Sequence, residues 1–123
     1  MHLLFVCVGN TCRSQMAEAI ARSMGFEASS AGTHPGHEVA GHTLDVLEAR
    51  GVSSEGLRPK GLDEVDVASA DMIFSMGCGV QCPAIAVDGD WGLDDPVGRS
   101  REVYEATADE ITRRLKALKA DQS

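Results

Sequence analysis

His2-Leu-Leu-Phe-Val-Cys-Val8, running directly into Gly9-Asn-Thr-Cys-Arg-Ser14, is the stretch on which the reading of the fold turns. From Leu3 to Val8 the chain is apolar without alternation, which fits a strand buried on both faces of a parallel sheet. Gly9 and Asn10 end it. From Ser14 the apolar residues adopt helical spacing, with Met16, Ile20 and Met24 on one stripe and Gly25 placed as a C-terminal stop. The opening unit therefore reads as strand, tight loop, helix.

Outward from this unit, Phe26 to Ser30 reads as a second strand that leads into the turn-rich Ala31-Gly-Thr-His-Pro-Gly36. A helix is expected from about His37 to Arg50, with Ala40, Leu44 and Leu47 facing inward. Residues 52–61 read as loop and Leu62 to Ala68 as a short helix. Asp71 to Met76 and Ala84 to Asp88 have the composition of a third and a fourth strand. The last helix, about Ser100 to Ala120, sets Tyr104, Ala108, Ile111, Leu115 and Leu118 at helical spacing. Strands alternating with helices imply one α/β domain over residues 1–123, a four-stranded parallel sheet with helices on both faces and right-handed crossovers. Ligands of such sheets bind at the carboxyl ends of the strands, where the Cys7–Ser14 loop falls.

Composition narrows the partners. The chain has 123 residues, 43% hydrophobic and 24% charged, as expected of a folded protein. Its net charge of −8 and pI near 4.8 argue against general affinity for nucleic acid or anionic membrane, so any anion site must be local. The longest apolar run is too short to span a bilayer, and nothing around it reads as a signal peptide. A cytoplasmic location is expected. The four cysteines, Cys7, Cys12, Cys78 and Cys82, then point to thiol chemistry or metal binding in preference to structural disulfides.

Cys7 and Arg13 bracket five residues and are followed by a hydroxyl, Ser14. A loop of this kind at a helix start can wrap the backbone N–H groups of Val8, Gly9, Asn10, Thr11, Cys12 and Arg13 around one tetrahedral oxyanion. Asn10 and Gly9 tolerate the positive φ angles that such a loop needs. Arg13 would grip two anion oxygens through its planar fork. The thiolate of Cys7, stabilised by the N–H groups, the helix terminus, Arg13 and Ser14, would be the nucleophile beneath the anion. The plainer alternative is a buried strand-end cysteine beside a solvated arginine.

Cys-x-Gly-Asn-x-Cys-Arg-Ser resembles the signature loop of the low-molecular-weight protein tyrosine phosphatases and of the arsenate reductases that share their fold. Gln15-Met-Ala-Glu18 is similar to the reductase version; Ser30-Ala-Gly-Thr33 and Trp91-Gly-Leu-Asp-Asp-Pro96 are similar to further family segments. The resemblance implies a phosphatase-like fold, Asp95 before Pro96 as the acid, and a relay in which Cys78 attacks a Cys7–arsenic adduct and Cys82 then attacks Cys78. It also implies thioredoxin as reductant, no cofactor, and arsenate as substrate with phosphate or sulfate competing. The close spacing of Cys78 and Cys82 leaves a low-molecular-weight thiol system open as the donor.

Other readings stay beside these. A phosphatase of the same fold would need only Cys7, Arg13 and Asp95, and a non-catalytic oxyanion sensor would need only the thiols and the loop. Yet the chain is only 4% aromatic, and Trp91 reads equally as a wall for an aryl substrate and as a packing anchor. A four-cysteine zinc site would occupy the nucleophile. Cys12 reads as a packing residue or as a disulfide partner of Cys7. Ser30 and Glu18 resemble positions that help bind a potassium ion in some family reductases, Glu18 being otherwise a plain exposed helix residue. His34, His37 and His42 read as solvated rather than metal-binding.

Overall fold

A computed structural model of the chain describes residues 1–77, 87–94 and 96–121. Four parallel strands, β1 (His2–Cys7), β2 (Glu27–Gly32), β3 (Met72–Ser75) and β4 (Gly89–Asp90), form one sheet in the order β2-β1-β3-β4. Among the described residues three α-helices accompany them: α1 (Arg13–Ser23), α2 (Gly41–Ala49) and α3 (Arg101–Asp121). From β1 the chain moves first to one side of the sheet and then to the other, which opens a crevice at the carboxyl ends of β1 and β3.

The alternation of β1 divides the core. Leu3, Phe5 and Cys7 face α1, α2 and α3, joining Met16, Ile20, Val46, Leu47, Tyr104, Ile111 and Leu115. Leu4 and Val6 face the opposite way, onto Leu62, Val65, Val67 and Ile73. That second face is covered by two single-turn 3-10 helices, Leu62–Glu64 and Val67–Ser69, in place of the one short helix expected over 62–68. Between them Val65 is extended and packs on the sheet. Trp91 is buried against Phe5 and Phe74, with ring centroids 5.5 and 5.1 Å away, and the Arg114 guanidinium lies over it. It is a packing anchor.

Beyond β2, which runs on through Ala31 and Gly32 in place of ending at Ser30, two boundaries and one facing differ from the sequence reading. The second helix begins at Gly41, not near His37, because residues 33–40 spend backbone N–H groups on the loop after β1. Leu44 is exposed; Thr43 and Val46 turn inward in its place. The fourth strand pairs at Gly89–Asp90, after the expected Ala84–Asp88, of which 84–86 lie outside the described residues. Ahead of that pairing Asp88 bonds Ile73 twice, its N–H donating to Ile73 O and its carboxylate accepting from the Ile73 N–H, both at 2.7 Å.

Candidate active site

The loop between β1 and α1 is shaped by what its carbonyls bind. Cys7 O accepts from the Thr33 N–H (3.1 Å), Val8 O from the His34 N–H (2.9 Å) and Gly9 O from the Gly36 N–H (2.9 Å). Asn10 O accepts from Gln15 Nε2 (2.9 Å). Thr11 O accepts from the Ala40 N–H and the Thr43 hydroxyl, both at 3.1 Å. Cys12 O takes the Met16 N–H at 2.9 Å, the first bond of α1. A planar trans peptide points its N–H opposite to its C=O. Carbonyls bound to segments around the loop therefore turn the N–H groups of residues 8–13 the other way, toward the space the loop encloses.

Cys7 sits at the base of that space, 3% exposed. The Asn10 N–H donates to Cys7 Sγ at 3.2 Å. Ser14 Oγ is 2.8 Å from the same sulfur and accepts from Asn10 Nδ2 at 2.7 Å, which leaves the serine hydrogen for the sulfur. Asn10 adopts φ 52°, the left-handed conformation expected of it. Its amide oxygen accepts from Gln15 Nε2 (3.0 Å) and the Lys60 N–H (3.0 Å), stitching segment 58–60 beneath the loop. That segment is braced in turn by Glu64, whose carboxyl is held below the usual carboxylate range by the Gly61 N–H and then by Arg58.

Arg13 is 6% exposed, against the alternative of a solvated arginine, and its Nη1 donates to Met76 O and Leu93 O, each at 3.0 Å. It thus ties the loop to the chain leaving β3 and β4. Gly77, at φ 109°, makes room there: a Cβ would lie 2.5 Å from Leu93 O. A cavity of about 280 Å³ is lined by residues 7–13 with Gly36 and Val97. No aromatic ring lines it among the described residues. The sulfur below, N–H groups at the start of α1 and the guanidinium at the side are an arrangement that can hold a small tetrahedral anion above a thiol.

Cys12 and Cys7 are both free thiols. Cys12 is buried with its sulfur 3.4 Å from the Tyr104 hydroxyl, a packing position. Glu18, which reads from sequence as a potassium-ion position or a plain exposed helix residue, is 1% exposed; it accepts from the Ser30 hydroxyl (2.6 Å) and pairs with Lys60 (3.3 Å) and Arg22 (2.9 Å), so cationic side chains face this carboxylate. His34, His37 and His42 are exposed, and no metal-holding group of three His, Cys, Asp or Glu residues occurs among the described residues. Asp94 is exposed. Asp95, Cys78 and Cys82 lie outside the described residues. Gln15, Thr43 and the N–H groups of residues 33–40 were not singled out for the site from sequence. A glutamine in the first turn of a helix carries no signal of its own, and backbone donors carry none.

A receptor loop of this form at the first strand end of a β2-β1-β3-β4 parallel sheet defines a class, and the low molecular weight phosphotyrosine protein phosphatase family model matches residues 2–122. The chain belongs to that family. Among its relatives, the glutaredoxin arsenate reductase of Synechocystis sp. is 31% identical over 124 residues, covering 94% of each chain. A solved structure described as an arsenate reductase in the phosphate binding state superposes with a TM-score of 0.88 at 30% identity, covering 99% of this chain and 98% of that one. The low molecular weight protein tyrosine phosphatase from T. tengcongensis gives 0.80 at 31% identity, covering 98% and 99%. No helix among the described residues is long and apolar enough to cross a membrane.

Proposed function

We propose that this protein reduces arsenate to arsenite through Cys7. The observation that carries the reading is the receptor itself, an N–H-lined cavity without aromatic walls among the described residues and with Cys7 Sγ at its base, in a chain that has two further cysteines at Cys78 and Cys82. The Cys7 thiolate attacks arsenic and displaces hydroxide, which leaves as water after taking a proton from Asp95. Arg13 and the N–H groups of residues 8–13 hold the remaining oxygens. Ser14 donates its hydrogen to the sulfur when it is the leaving thiolate.

The reduction needs two electrons, which two thiols supply. Cys78 attacks Cys7 Sγ; the sulfur–arsenic bond breaks and arsenic departs as arsenite with the electron pair. Cys82 then attacks Cys78 and frees the Cys7 thiolate, leaving a Cys78–Cys82 disulfide. Thioredoxin or a low-molecular-weight thiol system returns that disulfide to dithiol; the name of the Synechocystis relative favours testing glutaredoxin with glutathione as well. Phosphate and sulfate bind the same cavity as competitors.

The test is arsenate-dependent NADPH consumption, run once with thioredoxin and its reductase and once with glutathione, glutaredoxin and glutathione reductase. Turnover in either system, lost in Cys7→Ser and limited to a single turnover in Cys82→Ser, is the expected result. Aryl-phosphate hydrolysis that survives Cys78→Ser and Cys82→Ser, without any arsenate-dependent thiol oxidation, would make the chain a phosphatase instead.

A further inference from the structure

Gln15 is fully buried in the first turn of α1, yet it ends in an amide where a methionine or leucine would fill similar space. We propose that Gln15 is a positioning residue of the oxyanion loop, fixing the Asn10–Thr11 peptide so that the Thr11 N–H faces the anion. The inference rests on the oxyanion-binding part of the function proposed above and not on its arsenic chemistry.

Three acceptors converge on Gln15 Nε2: Arg58 O at 2.8 Å, Asn10 O at 2.9 Å and Asn10 Oδ1 at 3.0 Å. Its Oε1 takes no hydrogen bond from any described residue. The amide orientation is thereby decided, because exchanging oxygen and nitrogen would set one oxygen against three others. The side chain is present for its hydrogens.

What those hydrogens hold follows from the neighbours. Five of the six carbonyls from Cys7 to Cys12 receive a backbone N–H; Asn10 O takes its bond from Gln15. Asn10 is also the loop residue with positive φ, so its peptide turns away from the partners that strand or helix would offer. The same NH₂ reaches Asn10 Oδ1, and through Asn10 Nδ2 the network continues to Ser14 Oγ and Cys7 Sγ. Without these donors the Asn10–Thr11 peptide loses its anchor, and both the anion and the thiolate lose aligned dipoles.

Gln15→Met keeps length and removes the donors; Gln15→Glu sets an oxygen where the NH₂ was. Each variant is checked for folding by thermal unfolding and then assayed for inorganic phosphate binding by calorimetry and for the pH profile of Cys7 alkylation by iodoacetamide. Gln15→Met is expected to bind phosphate about tenfold more weakly, the loss of roughly one hydrogen bond, with its alkylation profile moved to higher pH than that of the unaltered chain. Folded variants with unchanged phosphate affinity and an unchanged profile overturn the proposal. If neither variant folds, the unaltered chain decides by NMR: slowly exchanging Gln15 side-chain amide protons that shift on phosphate addition support it, and rapidly exchanging or unresponsive protons overturn it. Phosphate replaces arsenate here so that a chain binding phosphate without reducing arsenate counts against the function and not against Gln15.

Discussion

The two halves of the Cys7–Arg13 loop are held by different means. Residues 7–9 are zipped to residues 33–36 by backbone N–H groups, and no side chain takes part in those three bonds. Residues 10–13 are held largely by side chains: Gln15 on Asn10, Asn10 on Ser14, Thr43 on Thr11 and Arg13 on the ends beyond β3 and β4. Apart from Cys7, whose sulfur meets Asn10 and Ser14, the first half tolerates any residue that leaves the backbone in place. The second half depends on the identity of each participant, and it sets the Asn10 N–H and the Ser14 hydroxyl against the Cys7 sulfur of the first.

Substitutions can break this contrast or sharpen it. The largest effect is expected at Asn10→Ala, which removes three side-chain hydrogen bonds and puts alanine at positive φ. At about 1 kcal/mol for each bond and for the strain, the loss of stability is about 4 kcal/mol. Asn10→Gly relieves the φ strain without replacing the amide and should recover about 1 kcal/mol of it, as denaturant unfolding of the pair would measure. If glycine restores full stability, the side-chain network is not what holds the second half.

Gly32→Ala comes next. A Cβ there would stand 2.5 Å from Val8 O and 3.0 Å from Asn10 Cβ, so β2 and the loop must separate. A cost of about 2 kcal/mol is expected from overpacking, with weaker binding of inorganic phosphate, since the backbone-held half can be disturbed only by moving the backbone. The smallest effect is expected at His34→Ala, where the N–H to Val8 O is retained and the exposed ring is lost. Its unfolding free energy should stay within about 0.5 kcal/mol of the unaltered chain, and phosphate affinity should be unchanged by calorimetry. A large loss at His34 would erase the distinction between the halves.

The same contrast explains what the sequence made legible. The apolar run from Leu3, the stripe through Met16 and Ile20, and the Tyr104–Leu115 spacing are burial patterns, and burial is what sequence periodicity encodes. Cys7, Asn10, Arg13 and Ser14 were legible because their chemistry is tied to a spacing. The helix α2 starts later than its sequence pattern suggests because the Gly36 and Ala40 N–H groups serve as backbone donors to the loop after β1, a tertiary demand with no local signature. Leu47 faces inward as its spacing suggests, whereas Leu44 on the same stripe is exposed and helix packing selects Thr43 and Val46 beside Leu47. The burial of Glu18 has no signal in its own segment, because Lys60, distant in sequence, and Ser30 close over it.

Trp91 is the chain's single tryptophan, buried on Phe5 and Phe74 beneath Arg114. Two residues further on, Leu93 offers the carbonyl that Arg13 grips. The molecule thus carries its own optical gauge: an indole tied through one short span of chain to the guanidinium beside the cavity, whose emission is expected to change as phosphate is titrated in without any label.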